Sequence, residues 1–365
     1  MMTRAIVEPL PSLAQYRRLP PEEALERARK AREALGANVV LLAHHYQVDE
    51  IVALADHRGD SLELSRLAAA EHRAEYIVFC GVDFMAESAA ILCSPKQKVI
   101  LPAGDAPCPM AAMVDVPALR FAWEFLESLW GRGAVVPLAY QNSSAAVKAF
   151  CGEHGGAVCT SSNAEAALRW ALGQGKRVLF VPDQYLAINS ALALGYRKEE
   201  IALWRRHEDR LDARGDVQQV AVVAWDGYCH VHLRFQPEDI VAVRQRHPGI
   251  RVIVHPECTP EVVSLADAAG STSYIVKAVE QAPAGSSFAI GTETHLVHRL
   301  AREHPNKLIV PLRHSTCVTM ARTDVYNLCW ALENLLAGNP VNVVSVPPPV
   351  IAGARAALER MLQIR

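Results

Sequence analysis

Nowhere in its 365 residues does this chain carry an apolar run near the length of a bilayer span, so a membrane protein is not expected. The opening MMTRAIVEPLPSL lacks the apolar core of a signal peptide, which reads as a cytoplasmic protein. Neither charge is in excess: 37 Lys and Arg stand against 39 Asp and Glu. A nucleic-acid binder would show a clear basic surplus, so small molecules are the expected partners. No CxxC and no HxxxH pairing occurs, which removes the local signatures of common zinc and ferredoxin-type sites. The nine cysteines are odd in number and irregular in spacing, a poor disulfide framework. Buried structural thiols, metal ligands and catalytic thiols all remain open readings for them.

What the chain does have is a repeated alternation. Runs rich in Val, Ile and Leu recur at 38–47, 76–82, 98–104, 134–142, 177–183, 218–227, 250–258, 286–293 and 307–314, with helical patterns between them. Runs apolar on both faces suit parallel strands covered by helices, an α/β fold. Asp60-Ser61-Leu62-Glu63 has the form of a capping box, and Thr259-Pro260-Glu261 that of a helix start. The helix after Thr259 is expected to stop at Gly270. Residues 187–216 are charged and read as an inserted, solvated helical excursion. Residues 318–338 read as one or two helices, 339–349 as extended chain, and the last sixteen as a closing amphipathic helix.

In each third of the chain the last strand-like run leads to a cysteine: KVILPAG to Cys108, QQVAVVAWDG to Cys229, KLIVPLRH to Cys317. This self-similarity argues for three related βα units. Active sites of open α/β sheets lie beyond the C-terminal strand ends, so three such ends facing one centre would bring the cysteines together. Cys108 sits between prolines in a stiff loop. If the segment around Cys229 is extended, Cys229 and Val231 point one way and His230 and His232 the other. Cys317 is placed just before a helix, whose N-terminus would lower its thiol pKa.

Polar residues gather at the other strand ends: His44, His45 and Tyr46; Tyr140 and Asn142; Thr160, Ser161 and Ser162; His255 and Glu257; and Ser271 and Thr272 on a glycine turn. A zinc-dependent hydrolase using Cys229, His232 and His255 fits this set, as does a non-catalytic small-molecule binding protein. Cys80, Cys93, Cys151, Cys159, Cys258 and Cys329 read as structural, with a redox pair of Cys151 and Cys159 as the minor alternative.

In order and spacing, LAHHYQ, ADHRGDSLELSR, IVFCGVDFMAES, YQNSSAAVKAF, CTSSNA, GYCHVH, VHPECTPEVV and GSTSYIV together resemble the quinolinate synthase family, over about residues 25–320. The resemblance implies three αβα sandwich domains with parallel sheets, related by pseudo-threefold symmetry around a central 4Fe-4S cluster. On this sequence they would be 25–112, 113–232 and 233–317, after an N-terminal extension, 1–24, and before a C-terminal helical segment, 318–365, closing the fold. The implied reaction joins iminoaspartate to dihydroxyacetone phosphate, giving quinolinate, phosphate and water. Cys108, Cys229 and Cys317 would hold the cluster. Glu257, Tyr46 and Tyr140 would move protons. His44, Ser61, Tyr140, Asn142, Ser161, His232, His255, Glu257, Ser271 and Thr272 would bind substrate. Because iminoaspartate is unstable, coupling to an aspartate oxidase or dehydrogenase is also expected.

Overall fold

All six residues of Val39–His44 are buried, and so are all six of Val135–Tyr140. Side chains alternate across a strand, so only a strand covered on both faces hides every one. The computed structural model of this chain describes residues 11–364. Among them are fourteen strands: β1 Val39–His44, β2 His57–Gly59, β3 Tyr76–Cys80, β4 Lys98–Ile100, β5 Val135–Tyr140, β6 Ala157–Cys159, β7 Arg177–Val181, β8 Ile201–Arg205, β9 Arg210–Asp212, β10 Val222–Trp225, β11 Arg251–Val254, β12 Ala268–Ala269, β13 Ser287–Gly291 and β14 Leu308–Pro311.

They form three sheets. The first has the order β2-β1-β3-β4, the second β6-β5-β7-β10-β8-β9, and the third β12-β11-β13-β14. All neighbouring pairs are parallel except β8–β9. In each sheet the first long strand is flanked by a short one and followed across the sheet by two more. The nine apolar runs of the sequence match nine of the strands. Of the other five, β2, β6, β9 and β12 have two or three residues each, and β8 lies within the charged 187–216 passage.

Helices cover both faces of every sheet, which gives three αβα layers. The first sheet packs Leu64, Ala68 and Phe84 on one face, and Ala28, Leu328 and Leu332 on the other. The second packs Leu119, Phe150 and Leu358 against one face, and Leu168 and Leu186 against the other. Phe235 and Val262 cover one face of the third sheet, and Ile275 and Leu300 the other.

The caps behave largely as their residues dictate. Asp60 accepts the Leu62 and Glu63 amides and starts Ser61–Ala70, and Thr259 accepts Val262 N–H to start Pro260–Leu265. That second helix does not reach Gly270. Ala266 turns extended, Asp267 accepts Val252 N–H at 2.7 Å, and the chain enters β12 beside β11. The 187–216 passage is also not a helical excursion. Gln184–Ala193 is the regular helix after β7, and β8 and β9 are an antiparallel hairpin added to the second sheet's edge. Arg205 bridging Asp212 and the buried Trp204 hold this hairpin.

After the third sheet the chain returns to the first, where Val325–Leu336 packs on Pro21–Leu35. Residues 339–347 then run beside β4, with Val344 N–H donated to the Val99 carbonyl at 2.8 Å. The closing helix, Pro348–Gln363, lies on Ala145–Glu153 of the second unit. Much of the expected 1–24 extension is helix here; residues 1–10 lie outside those described. No helix among the described residues is long and apolar enough to cross a membrane.

Candidate active site

The fourth strand in each sheet's order, β4, β10 and β14, leads to a loop that turns back on itself. The Cys108 carbonyl accepts Ala111 N–H, that of Cys229 accepts Leu233 N–H, and that of Cys317 accepts Ala321 N–H, each at 3.0 Å. These three turns present their thiols to one small cavity between the three sheets. Burial pushes the Cys108 thiol up to about 12, and it raises Cys229 and Cys317 as well. The neighbouring thiols add to the rise at Cys108 and Cys229, so three bare thiolates would repel one another here.

The turn at Cys229 changes what was expected of its histidines. The segment is not extended, so Cys229 and His232 do not point apart. Leu233 N–H closing on Cys229 brings His232 to the same side, and the donor atoms of Cys229, His232 and Glu257 lie within 4.8 Å of one another. The expectation for Cys317 also changes. The helix proper begins only at Val325, and desolvation raises this thiol rather than a helix terminus lowering it.

Opposite the cysteines lies an acid–base network. Glu257 Oε2 is 2.5 Å from His232 Nδ1 and 3.2 Å from His255 Nδ1, and the two imidazoles stack at 4.1 Å between centroids. The 2.5 Å approach is a close contact off the line of a good hydrogen bond, since His232 Nδ1 has no well-aligned acceptor. Burial alone would raise the Glu257 carboxyl; the two histidines outweigh it and hold the group below the usual carboxylate range. Burial lowers His232 to about 4, so at neutral pH the charge of this pair sits on Glu257. On the other side, His232 Nε2 is 3.2 Å from Thr292 Oγ1, and Thr292 Oγ1 is 2.7 Å from the Tyr46 hydroxyl. A chain of polar contacts thus runs from Glu257 to His232, and on by hydrogen bonds through Thr292 to Tyr46. Burial, then Glu257's charge, keeps Tyr140 protonated; burial dominates at Tyr46 too.

His44 Nδ1 accepts the Tyr46 amide at 3.2 Å, and burial lowers this histidine to about 3. It is therefore neutral, with Nε2 as its N–H donor. From the third sheet, Arg299 donates to the carbonyls of His45 and Gln47 and fixes the loop carrying Tyr46. Ser61, Asn142, Ser161 and Thr272 complete the lining. Ser61 and Thr272 open ten-residue helices, whose N-terminal dipoles favour anions, while Asp60 and Ser271 already take the Leu62, Glu63 and Tyr274 amides. Ser271 is the exception among the anticipated residues. Its Oγ accepts Tyr274 N–H as a helix cap, and it lines the neighbouring outer cavity with Asp60 and Ser161. All nine cysteines are free thiols, Cys151 and Cys159 included.

Thr292 and Asp60 were not singled out in the sequence. Asp60 reads there only as a cap, and in the fold it also receives the Ser162 hydroxyl across the seam between units. Thr292 follows β13 directly, and its place at a strand end was the one available signal.

A buried inter-sheet pocket joining soft thiol donors to a carboxylate–imidazole–phenol network defines an α/β enzyme with a candidate metal site, acting on a small polar substrate. The family described as "NadA: Quinolinate synthetase A protein" matches residues 26–363. Curated proteins named quinolinate synthase are similar over nearly the whole chain. That of Anoxybacillus flavithermus is 48% identical over 349 residues, 95% of each chain. That of Geobacillus kaustophilus is 48% identical over 352 residues, 96% of each, and that of Bacillus anthracis 45% over 361, 98% of each. This chain belongs to the quinolinate synthase family, enzymes of NAD biosynthesis.

Proposed function

We propose that this chain condenses iminoaspartate with dihydroxyacetone phosphate to quinolinate, releasing phosphate and water, with a 4Fe-4S cluster held by Cys108, Cys229 and Cys317. One observation carries the reading: a cysteine after the fourth strand in each sheet's order, β4, β10 and β14, with all three lining one cavity. The donor set fits the group. Three soft thiols, raised by burial and mutual repulsion, would become thiolates on binding a cationic cluster. Three ligands leave one iron open, and such an iron supplies Lewis-acid chemistry for loss of water.

The remaining work falls to the protein. Glu257 begins as the anion and takes protons released in enolisation and ring closure. Tyr46 and Tyr140 begin protonated, so they donate to developing oxyanions. His232 and Thr292 link Glu257 with Tyr46, so a proton taken at one can be returned at the other. The substrates bring carboxylates and a phosphate. Ser61, Thr272 and their helix N-termini suit these anions, and Asn142, Ser161, His44 and His255 orient them. The outer cavity, where Ser271 lies, adjoins this pocket and suits substrate entry. A cytoplasmic place and supply of iminoaspartate by an aspartate oxidase or dehydrogenase complete the reading.

The test is iron and acid-labile sulfide in anaerobically purified protein and in Cys108→Ala, Cys229→Ala and Cys317→Ala. About four of each per wild-type chain, lost in every variant, is the expected result. Zinc bound at Cys229, His232 and Glu257 instead, or no metal in any preparation, overturns the reading.

A further inference from the structure

Outside the pocket, one arrangement occurs three times. After the third strand in each sheet's order, the next helix starts on an acid: Asp83 after β3, Asp183 after β7 and Glu293 after β13. None of the three lines the cavity. Each faces the cysteine loop of its own sheet. Asp83 Oδ1 accepts the Cys108 backbone N–H at 3.2 Å, and Glu293 Oε1 accepts that of Cys317 at 3.4 Å. Asp183 is fully buried beside the Cys229 loop, paired with Gly227, and its Oδ2 is left without a hydrogen-bond partner. Its other oxygen takes Leu186 N–H at 2.7 Å.

The return contact recurs as well. The carbonyl two residues before each cysteine accepts an amide from the helix start. Asp83 N–H goes to Ala106 at 3.1 Å, Gln184 N–H to Gly227 at 3.0 Å, and Thr294 N–H to Ser315 at 2.9 Å. Each cysteine loop is thus held from both sides by the same helix start. Capping alone explains an acid at a helix N-terminus. It does not explain why Asp83 and Glu293 also reach a cysteine amide, nor why Asp183 keeps an unpartnered buried oxygen beside the Cys229 loop.

We propose that Asp83, Asp183 and Glu293 are positioning residues for the cluster, Asp83 and Glu293 fixing a ligand cysteine through its own backbone amide and Asp183 through the Cys229 loop at Gly227. The proposal rests on the reading of Cys108, Cys229 and Cys317 as ligands. Outer partners of this kind fix the direction of a metal ligand, and losing one typically costs about 10–100-fold in metal affinity.

The experiment starts with iron in the wild-type holoenzyme. A wild type without iron is a failure of the ligand reading and is seen before any variant is compared. With the cluster present, its visible absorbance is followed after addition of an iron chelator under anaerobic conditions. Asp83→Ala, Asp183→Ala and Glu293→Ala are expected to lose it roughly 10-fold faster or more. Asp83→Asn and Glu293→Gln, which keep an acceptor oxygen in place, should stay within a few-fold of wild type. Asp115→Ala is the control, since Asp115 caps Val116–Trp130 and receives no cysteine amide. Cluster loss in the three alanine variants no faster than in this control makes the acids caps only and overturns the proposal. If the alanine variants do not accumulate, Asp83→Glu and Glu293→Asp decide, because they keep the charge and move the oxygen. Loss at the wild-type rate in both overturns it equally.

Discussion

Glu257 shows how burial and partners oppose each other at one residue. Desolvation favours its neutral form, and two histidines favour the anion and prevail. Glu257→Gln keeps the shape and removes the base, so turnover should fall on the order of 10²–10⁴-fold with iron content unchanged. Full turnover in that variant would remove Glu257 from proton transfer. Thr292→Val breaks the link to Tyr46 and should cost a single hydrogen bond, roughly 10-fold in kcat. His44 and His45 carry a different consequence. Burial lowers them to about 3 and about 4, below the roughly 6.5 of an unfolded chain. Unfolded molecules therefore bind the extra protons, and stability is lost as pH falls from about 6.5 toward 4. Urea midpoints at pH 7, 6 and 5 should decline for the wild type and decline less for His45→Gln.

At the scale of elements, the long strands were legible because strands covered on both faces must be apolar throughout. The short strands β2, β6 and β12 were not, since two or three residues cannot show a period. Nor was the turn at Cys229, because nothing in GYCHVH distinguishes an extended segment from one closed by Leu233 N–H. The three acids behind the cysteines were invisible for a related reason: an acid opening a helix is already explained by capping. The tail is the element whose fit is most exacting. A Cβ at Gly152 would stand 1.9 Å from the Gly353 carbonyl oxygen, so helices Ala145–Glu153 and Pro348–Gln363 touch backbone to backbone. Gly152→Ala should cost about 1–3 kcal/mol by overpacking, seen as a lower urea midpoint with an unchanged slope. A midpoint equal to wild type would show that the tail does not dock this tightly.

The whole molecule depends on where its last residues go. Leu328, Ala331, Leu332 and Leu335 are buried in the same cluster as Leu41 and Val78 of the first sheet. Arg27 and Glu333 bind in a forked pair at 2.8 and 2.6 Å across that contact. Ala354, Leu358 and Met361 then fill one face of the second sheet. A chain ending at Thr323 would keep the candidate ligands and strip one covering layer from two sheets. It should bind a hydrophobic dye and melt without cooperativity, whereas a sharp two-state melt would show that the tail is dispensable. The same feature has a bearing on biosynthesis. A ribosome makes the first sheet early, and Val325–Leu336, which shares the cover of its outer face with Pro21–Leu35, only after the third sheet. The first unit is therefore completed only once Leu336 has been made, and its cysteine loop can meet the other two only once Cys317 has been made.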